Sequence, residues 1–214
     1  MDEPGRHDSV RRSYDTVAEK YTINFRDELD HKPLDRALLG CLIEQAGSEA
    51  AIADLGCGPG HVSAWLASHG ARAVGVDLSP GMIAIGRREF PEVEFREGDF
   101  LQLPAADSEF GAAVAFYSLI HLEAGELPPA FTEIHRVLRP AGLLLASLHI
   151  GTEVRHWSQW WGHEVDVDFR FFETQDVAEA MEDAGFRVEA RLERMSYPEE
   201  IETRRAYVLA RRLS

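Results

Sequence analysis

This chain of 214 residues is poor in cysteine and has no long apolar run. Its two cysteines, Cys41 and Cys57, fall in a predicted helix and a predicted turn, so we expect neither a disulfide framework nor a zinc cluster. No apolar run approaches the roughly 20 residues that cross a bilayer. The start, residues 1–6, lacks the apolar core of a secretory signal. We therefore predict a cytoplasmic protein without a membrane partner.

Positive charge is also scarce. A formal net charge of −15 repels the phosphate backbone and disfavours a nucleic-acid partner. Four arginines gather near the carboxyl terminus, and we interpret them as a solvated strand edge: Arg204, Arg205, Arg211 and Arg212. Only two of the 22 lysines and arginines are lysines, Lys20 and Lys32, and the sequence suggests no functional reason for that bias.

The apolar content, 45%, is ordinary for a soluble globular protein, and the length suits a single domain of residues 1–214. Residues 8–46 are expected to form a cap of two helices. Beyond residue 50 apolar strands alternate with helical segments, which predicts an α/β, Rossmann-like fold with a mainly parallel sheet. The oligomeric state is not legible from the sequence.

A glycine-rich turn at residues 54–60, Asp-Leu-Gly-Cys-Gly-Pro-Gly, lies between a predicted strand and a predicted helix. Its glycines allow the backbone to approach a ligand closely. Asp77 ends the next predicted strand, where a carboxylate accepts hydrogen bonds from both ribose hydroxyls. Pro59 removes one N–H group that a pyrophosphate would use. Together these features predict a site for a nucleoside-bearing cofactor.

This turn resembles the first motif of class I S-adenosylmethionine-dependent methyltransferases. Further segments match that family in its own order: residues 14–21, 76–82, 97–100, 116–122 and 136–142. The resemblance implies a seven-stranded sheet with helices on both faces and an antiparallel last strand. It also implies S-adenosyl-L-methionine as the cofactor and no metal.

The resemblance also implies which residues contact the cofactor. Four turn residues would lie against its methionine and ribose portions: Gly56, Cys57, Gly58 and Gly60. Five residues after the second and third strands would contact the ribose and adenine: Asp77, Leu78, Met82, Asp99 and Phe100. Of these, Asp77 would bind the ribose and Asp99 the adenine amino group. Three more would close over the cofactor or lie at the end of the fourth strand: Tyr14, Tyr21 and Phe116. For Met82 and Tyr21, plain core packing is the alternative.

Methyl transfer needs alignment above all, and a hydroxyl or protonated amine as acceptor also needs a general base. His121 and His149 follow the fourth and fifth predicted strands and are the candidate catalytic residues. Those strands are neighbours in the family, so both imidazoles are expected to face the transferred methyl. The alternative for each is a structural histidine. His156 and His163 follow His149 at a spacing of seven residues, but no accompanying pattern of metal ligands is present, so no metal is expected.

Residues 149–172 form an insertion that contains three tryptophans within five residues, Trp157, Trp160 and Trp161. We interpret it as a substrate lid. The aromatic cluster is either the wall of a pocket for an aromatic small molecule or a mini-core that anchors the lid.

Residues 116–119 read Phe-Tyr-Ser-Leu, where nucleic-acid amino methyltransferases carry an Asn/Asp-Pro-Pro-aromatic motif. A small-molecule acceptor is therefore expected, methylated on oxygen, nitrogen or carbon. One alternative is a noncatalytic S-adenosylmethionine-binding module. The other is a nicotinamide-dependent oxidoreductase, which the missing Tyr-x-x-x-Lys pair and the Gly-x-Gly-x-Gly run disfavour.

Overall fold

The computed structural model describes residues 5–47 and 50–213, so most of the amino-terminal stretch considered above lies outside it. Its helices are α1 Arg6–Phe25, α2 Pro33–Ala46, α3 His61–Ser68, α4 Pro80–Glu89, α5 Leu127–Val137 and α6 Thr174–Asp183. Its strands are β1 Ala51–Leu55, β2 Arg72–Asp77, β3 Glu94–Glu97, β4 Phe110–Phe116, β5 Leu138–His149, β6 Val154–Trp160, β7 His163–Arg170, β8 Phe186–Arg194 and β9 Arg205–Arg212.

Seven strands form one sheet in the order β3-β2-β1-β4-β5-β9-β8. Strand β1 pairs in parallel with β2 and β4, whereas the last strand, β9, runs antiparallel to both β5 and β8. The predicted fold is thus confirmed. The carboxyl ends of the parallel strands β1, β2, β4 and β5 lie at one edge of the sheet, where ligands bind in open α/β folds.

Helices cover both faces of the sheet because its central strands are apolar on both sides. In β1, Ala53 and Leu55 pack in the core that includes α5 and α6, whereas Ile52 packs with α2 and α3 on the opposite face. All five residues of β1 are buried, including Asp54. This continuous burial is typical of a parallel strand between two helical layers.

The insertion forms an antiparallel hairpin of β6 and β7 outside the main sheet. Its turn contains Trp161 at φ 50° and Gly162 at φ 80°. Two consecutive residues with positive φ are typical of the tight turns that join twisted strands. The hairpin packs against α1, which also contacts α4. Within the described ranges, no helix is long and apolar enough to cross a membrane.

Candidate functional site

The glycine turn between β1 and α3 depends on backbone conformations that other residues rarely adopt. Gly56, Gly58 and Gly60 have φ values of 72°, 54° and 89°. A Cβ on Gly56 would lie 2.2 Å from the Cβ of Ser118, and one on Gly60 would lie 2.5 Å from Phe95 Cζ. Gly60 lines neither of the cavities described below, so its role in the structure is to form the turn and to admit Phe95.

Asp77 at the end of β2 is held by the backbone on both sides of its carboxylate. Gly58 N–H donates to Oδ2 at 2.7 Å, and Ser79 N–H donates to Oδ1 at 2.8 Å. Burial raises the pKa of Asp77 to about 6, although these hydrogen bonds act in the opposite direction. The carboxylate therefore has a fixed orientation at the cavity wall, with acceptor capacity left for a ligand.

Helix α1 docks on this region through Asp15, which sequence analysis missed. Its Oδ1 accepts hydrogen bonds from Ser79 Oγ at 2.5 Å and from Gly81 N–H at 2.8 Å. Ser79 Oγ in turn accepts from Met82 N–H at 3.0 Å and so caps α4. Met82 itself is fully buried beneath α1 and lines neither cavity, so the structure places it in the core.

The first turn of α1 reaches the other acid assigned to the cofactor. His7 Nδ1 lies 2.6 Å from Asp99 Oδ2, and His7 Nε2 lies 3.0 Å from Glu126 Oε1. Asp99 Oδ1 accepts from Leu101 N–H at 2.7 Å. Neither His7 nor Glu126 is marked by a local motif, because they meet Asp99 from distant parts of the chain.

Two adjoining cavities open at the carboxyl edge of the sheet. The smaller, of about 100 Å³, contains Asp77, Leu78, Asp99 and Phe100 in its wall. The larger, of about 520 Å³, is bounded by the end of α1, the segment of residues 27–32, the hairpin and the segment before β9. The two cavities meet at the residues that line both of them: Tyr14, Tyr21, Gly56, Gly58, Phe116 and Tyr117. Cys57 lies in the wall of the larger cavity only.

The two candidate catalytic histidines lie in different cavities. His121 lines the smaller one, where its Nδ1 donates to the Asp168 carbonyl at 3.0 Å. Its Nε2 must then accept the hydrogen bond from Tyr14 Oη, at 2.8 Å. Burial lowers the pKa of His121 to about 4. Both ring nitrogens are thus engaged within the protein.

His149 lines the larger cavity with one nitrogen available. Its Nδ1 is hydrogen-bonded to Thr203 Oγ1 at 2.8 Å, a hydroxyl that can donate or accept. Among the described residues Nε2 has no hydrogen-bond partner. Burial, with the nearby charges of Arg205 and Lys32, lowers the pKa of His149 to about 3, so the ring is neutral near pH 7.

The tryptophans of the hairpin serve both as packing residues and as cavity wall. The indole of Trp160 is buried and contacts Tyr14, Tyr21 and Phe169 edge-to-face. It also stacks on Trp161, with ring centroids 4.8 Å apart. All three tryptophans of the insertion line the larger cavity. The tryptophan cluster is therefore both a packed mini-core and a wall of the cavity in this structure.

The interpretation of Arg205 as a solvated edge residue is wrong. It is 3% exposed, its Nη1 donates to the carbonyls of Ile201 and Thr203, and its Nε lies 3.3 Å from Glu200 Oε1. The reason is topological, because β9 lies inside the sheet between β5 and β8. Arg205 lines the larger cavity with Glu200, which the sequence did not mark.

Among the described residues, no group of three or more His, Cys, Asp or Glu side chains is placed to hold a metal ion.

Comparison with known proteins adds independent findings. Residues 52–142 match a family model described as a methyltransferase domain. The demethylmenaquinone methyltransferase of Chlorobaculum parvum is 33% identical over 141 residues, which cover 63% of this chain and 57% of that protein. The chain spans less than two thirds of the length of the first curated relatives it matches.

Two solved structures share the fold over the whole chain. The 1,6-didemethyltoxoflavin-N1-methyltransferase of Burkholderia thailandensis, solved with its substrate and S-adenosylhomocysteine, has a TM-score of 0.74 at 21% identity. The structural match covers all of this chain and 94% of the toxoflavin enzyme. The [4+2]-cyclase SpnF has a TM-score of 0.74 at 20% identity, with 100% of this chain and 98% of that chain covered.

Proposed function

We propose that this chain is a class I S-adenosylmethionine-dependent methyltransferase that transfers a methyl group from S-adenosyl-L-methionine to a small aromatic molecule. The observation that carries the proposal is the pair of cavities joined at the glycine turn. One cavity suits a nucleoside and the other suits a second, largely apolar molecule. Their junction at Gly56, Gly58, Phe116 and Tyr117 is where a methyl group would pass.

The residues of the smaller cavity fit the adenosine portion of the cofactor. The carboxylate of Asp77 is fixed by two backbone N–H groups at the wall and suits a ribose diol. Leu78 and Phe100 offer apolar surface to a base, and Asp99 lies at the same wall. When bound, S-adenosylmethionine supplies an electrophilic methyl on a sulfonium that leaves as a neutral thioether.

The larger cavity fits a flat, mainly apolar acceptor. Its volume, about 520 Å³, lies within the range typical of small-molecule sites. Aromatic rings of the hairpin and α1 form one wall, and Tyr117 and His149 form part of another. The relatives support this class, since one is named for methylating demethylmenaquinone and another was solved with 1,6-didemethyltoxoflavin.

We assign the role of general base to His149. Its ring is neutral, Nδ1 is hydrogen-bonded to Thr203, and His149 lines the larger cavity. In the tautomer with hydrogen on Nδ1, Nε2 is the nitrogen that accepts the proton. A pKa of about 3 makes it a weak base, which suffices for a proton that becomes acidic as the acceptor atom gains the methyl. His121 has no free nitrogen and instead orients the Tyr14 hydroxyl.

The open larger cavity favours catalysis over a noncatalytic cofactor-binding module, which would tolerate a blocked acceptor site. The match to a methyltransferase domain counts against a nicotinamide-dependent oxidoreductase. A cytoplasmic location and the absence of a nucleic-acid partner remain predictions from the sequence. The division into a cap, residues 8–46, and a lid, residues 149–172, is likewise a proposal.

Two measurements test the function. Calorimetry should show binding of S-adenosylmethionine and S-adenosylhomocysteine and none of NADH. Isotope-labelled S-adenosylmethionine should then methylate at least one member of a panel of aromatic hydroxy, amino and heterocyclic compounds, detected by mass spectrometry. Tight cofactor binding without transfer across the panel would support the noncatalytic module, and failure to bind the cofactor would overturn both proposals.

A further inference from the structure

Two arginine side chains lie beside His149 in the wall of the larger cavity. Arg205 is directly opposite His149 in the antiparallel pair of β5 and β9, so the two side chains lie on the same face of the sheet. Arg155, from β6, has its Cζ 4.6 Å from the centre of the Phe171 ring, and that ring lies 5.1 Å from the imidazole of His149. All four residues line the cavity, so two guanidinium groups flank its end at His149.

The guanidinium of Arg205 is held in place by its neighbours and has one nitrogen left over. The residue is 3% exposed, and its Nη1 donates to the carbonyls of Ile201 and Thr203 at 3.1 and 3.0 Å. Its Nε lies 3.3 Å from Glu200 Oε1, whereas Nη2 has no hydrogen-bond partner among the described residues. An N–H group that is removed from water without a partner is unfavourable. Such a donor in a cavity wall points to a ligand that accepts hydrogen bonds.

The acids near this end of the cavity are bonded to other groups. Both oxygens of Glu200 accept from Arg194, at 2.6 and 2.9 Å, and Oε2 also accepts from Tyr197 N–H at 2.7 Å. Glu28 accepts from Lys32 Nζ at 2.7 Å. The wall contains three further acids, of which two are exposed and the third is hydrogen-bonded to a serine: Asp27, Glu199 and Asp54. Arg205 therefore shares its one nearby carboxylate, that of Glu200, with Arg194.

The charges around His149 are mainly positive. Burial lowers the pKa of His149, and the charges of Arg205, Lys32 and Arg155 lower it further, whereas Glu200 acts in the opposite direction. Positive charge that disfavours a protonated imidazole favours an anion in the same place. The formal net charge of the chain is −15, so this is a local property of the cavity and does not follow from the overall charge.

The ring of Tyr117 connects this end of the cavity with the junction of the two cavities. Tyr117 has a φ of 52°, a left-handed conformation that bulky residues rarely adopt and that occurs mostly at functional sites. Its Oη lies 3.2 Å from Tyr207 Oη, which ties the ring to β9. The ring centre is 5.8 Å from Arg205 Cζ and 5.1 Å from the imidazole of His149. A flat ligand that packs on Tyr117 at the junction thus has its substituents within reach of Arg205.

We propose that the methyl acceptor is an aromatic carboxylic acid whose carboxylate binds Arg205 and Arg155 beside His149. A planar carboxylate matches the geometry of a guanidinium, and Nη2 of Arg205 donates to it. Arg155 contributes Nη1, because its Nε and Nη2 both donate to Glu153 Oε1. This inference rests on the proposed function and narrows its aromatic acceptor to one that carries an acidic group.

A carboxylate in this position also acts on the proposed base. Bound between the two arginines, it offsets the positive charge that lowers the pKa of His149. The imidazole then becomes a stronger base when the acceptor is in place, whereas an acceptor without the acidic group leaves it weakly basic. Recognition of the acidic group is thereby coupled to the proton transfer that accompanies methylation.

The experiment compares aromatic acids with their amides, which have nearly the same shape and no charge. Calorimetry with benzoate, benzamide, 2-naphthoate and 2-naphthamide should be run on protein saturated with S-adenosylhomocysteine, so that the smaller cavity is filled. We expect the wild type to bind at least one acid at least about tenfold more tightly than its amide, the scale of one charge-assisted hydrogen bond.

Three variants locate this preference in the wall. Arg155→Met and Arg205→Met should each weaken the preferred acid at least about fivefold and its amide less than about twofold, because only the acid loses a charged partner. Arg187→Met is the matched control and should change neither ligand. Arg187, like Arg155, is an exposed strand arginine bonded to a glutamate two residues away, and it lines neither cavity.

Three results would overturn the acceptor class. They are equal affinities of the wild type for acids and amides, equal losses of acid and amide in the Arg155 and Arg205 variants, and an equal loss of acid in Arg187→Met. Binding of S-adenosylhomocysteine reports that each variant is folded, and if Arg205→Met does not bind it, the exposed Arg155 decides the outcome. If the wild type binds S-adenosylhomocysteine without preferring any acid, only the acceptor class fails. If it does not bind S-adenosylhomocysteine, the proposed function fails and this inference with it.

Discussion

The two cavities differ in how their walls are built. In the smaller one, Asp77 and Asp99 follow the consecutive strands β2 and β3, and backbone N–H groups orient Asp77. Helix α1 adds His7, Arg11 and Tyr14 to this wall. The larger one is assembled from the end of α1, the segment of residues 27–32, the hairpin and the segment before β9. Its polar groups, such as Lys32, His149 and Glu200, come from three distant parts of the chain.

The smaller cavity is therefore positioned mainly by the sheet itself. The shape of the larger cavity depends on the segments attached to the sheet. Parallel strands bring their carboxyl ends together whatever their loops contain, so a nucleoside site there needs little beyond the turn and one acid. The acceptor site depends on the hairpin and on buried ion pairs. Changing residues in each wall should therefore affect different steps.

The largest effect is expected in the aromatic wall. Trp160→Ala should lower the free energy of unfolding by about 3 kcal/mol or more, because it removes a buried indole that contacts α1. Trp161→Ala, on the more exposed ring, should cost less. Both should raise the acceptor KM more than the cofactor Kd. Denaturant unfolding and steady-state kinetics test this, and a loss of stability with unchanged KM would make the cluster only a mini-core.

Removing the proposed base comes next. His149→Asn retains a donor toward Thr203 and lacks Nε2, so kcat should fall about 100-fold for an oxygen or nitrogen acceptor while the cofactor Kd is unchanged. His121→Phe should instead weaken cofactor binding through Tyr14. His69→Asn, on the surface, is the matched control. Unchanged turnover in both site variants would mean that neither histidine is the base.

In the smaller cavity, Asp77→Ala should weaken S-adenosylmethionine at least about tenfold, since it removes a charge-assisted acceptor for the ribose. The acceptor KM should change little. Asp183→Ala, an exposed acid at the end of α6, is the control. Equal affinity in wild type and Asp77→Ala would remove the ribose assignment.

The last prediction concerns the slope of stability against pH, where the change expected per pH unit is small. The pKa of His149 is about 3 in the folded protein and about 6.5 in an unfolded chain, so between these values the unfolded state binds more protons. Stability contributed by this group is therefore lost as the pH falls from about 6.5 toward about 3. His149→Asn should reduce the slope of unfolding free energy against pH by at most about 1.4 kcal/mol per unit. Unfolding curves at several pH values check this, and a slope matching that of His69→Asn would contradict it.

Local sequence patterns were informative where one segment carries the whole feature. The glycine turn, the acid after β2 and the antiparallel last strand were all predicted, the last of them through the family resemblance. Tyr14 was also predicted at the cofactor side, and the structure places it in the cavity wall. By contrast, Met82 belongs to the same matching segment as Asp77, residues 76–82, yet it lies in the core because α1 covers it. A motif marks a position along a helix but does not show which neighbour packs there.

The contacts that distinguish the larger cavity could not be read from the chain. Glu28 meets His61, and Arg205 meets Glu200, only when the segment between α1 and α2 and strand β9 are in place. The contact of His7 with Asp99 in the smaller cavity likewise depends on the docking of α1. Arg205 shows why. Four arginines in two pairs suggested a solvent-exposed strand edge, but the order of the strands in the sheet buries Arg205. Burial is a property of the assembled layers.

By itself, the order of apolar runs and glycines determined an α/β sheet with a nucleoside site, because strand polarity and backbone conformation are local properties. Tertiary structure alone decided which histidine keeps a free nitrogen, whether the tryptophans face a cavity and which charges are enclosed. Those outcomes depend on distances between residues far apart in the chain, and only the packing of the cap and the hairpin on the sheet sets such distances.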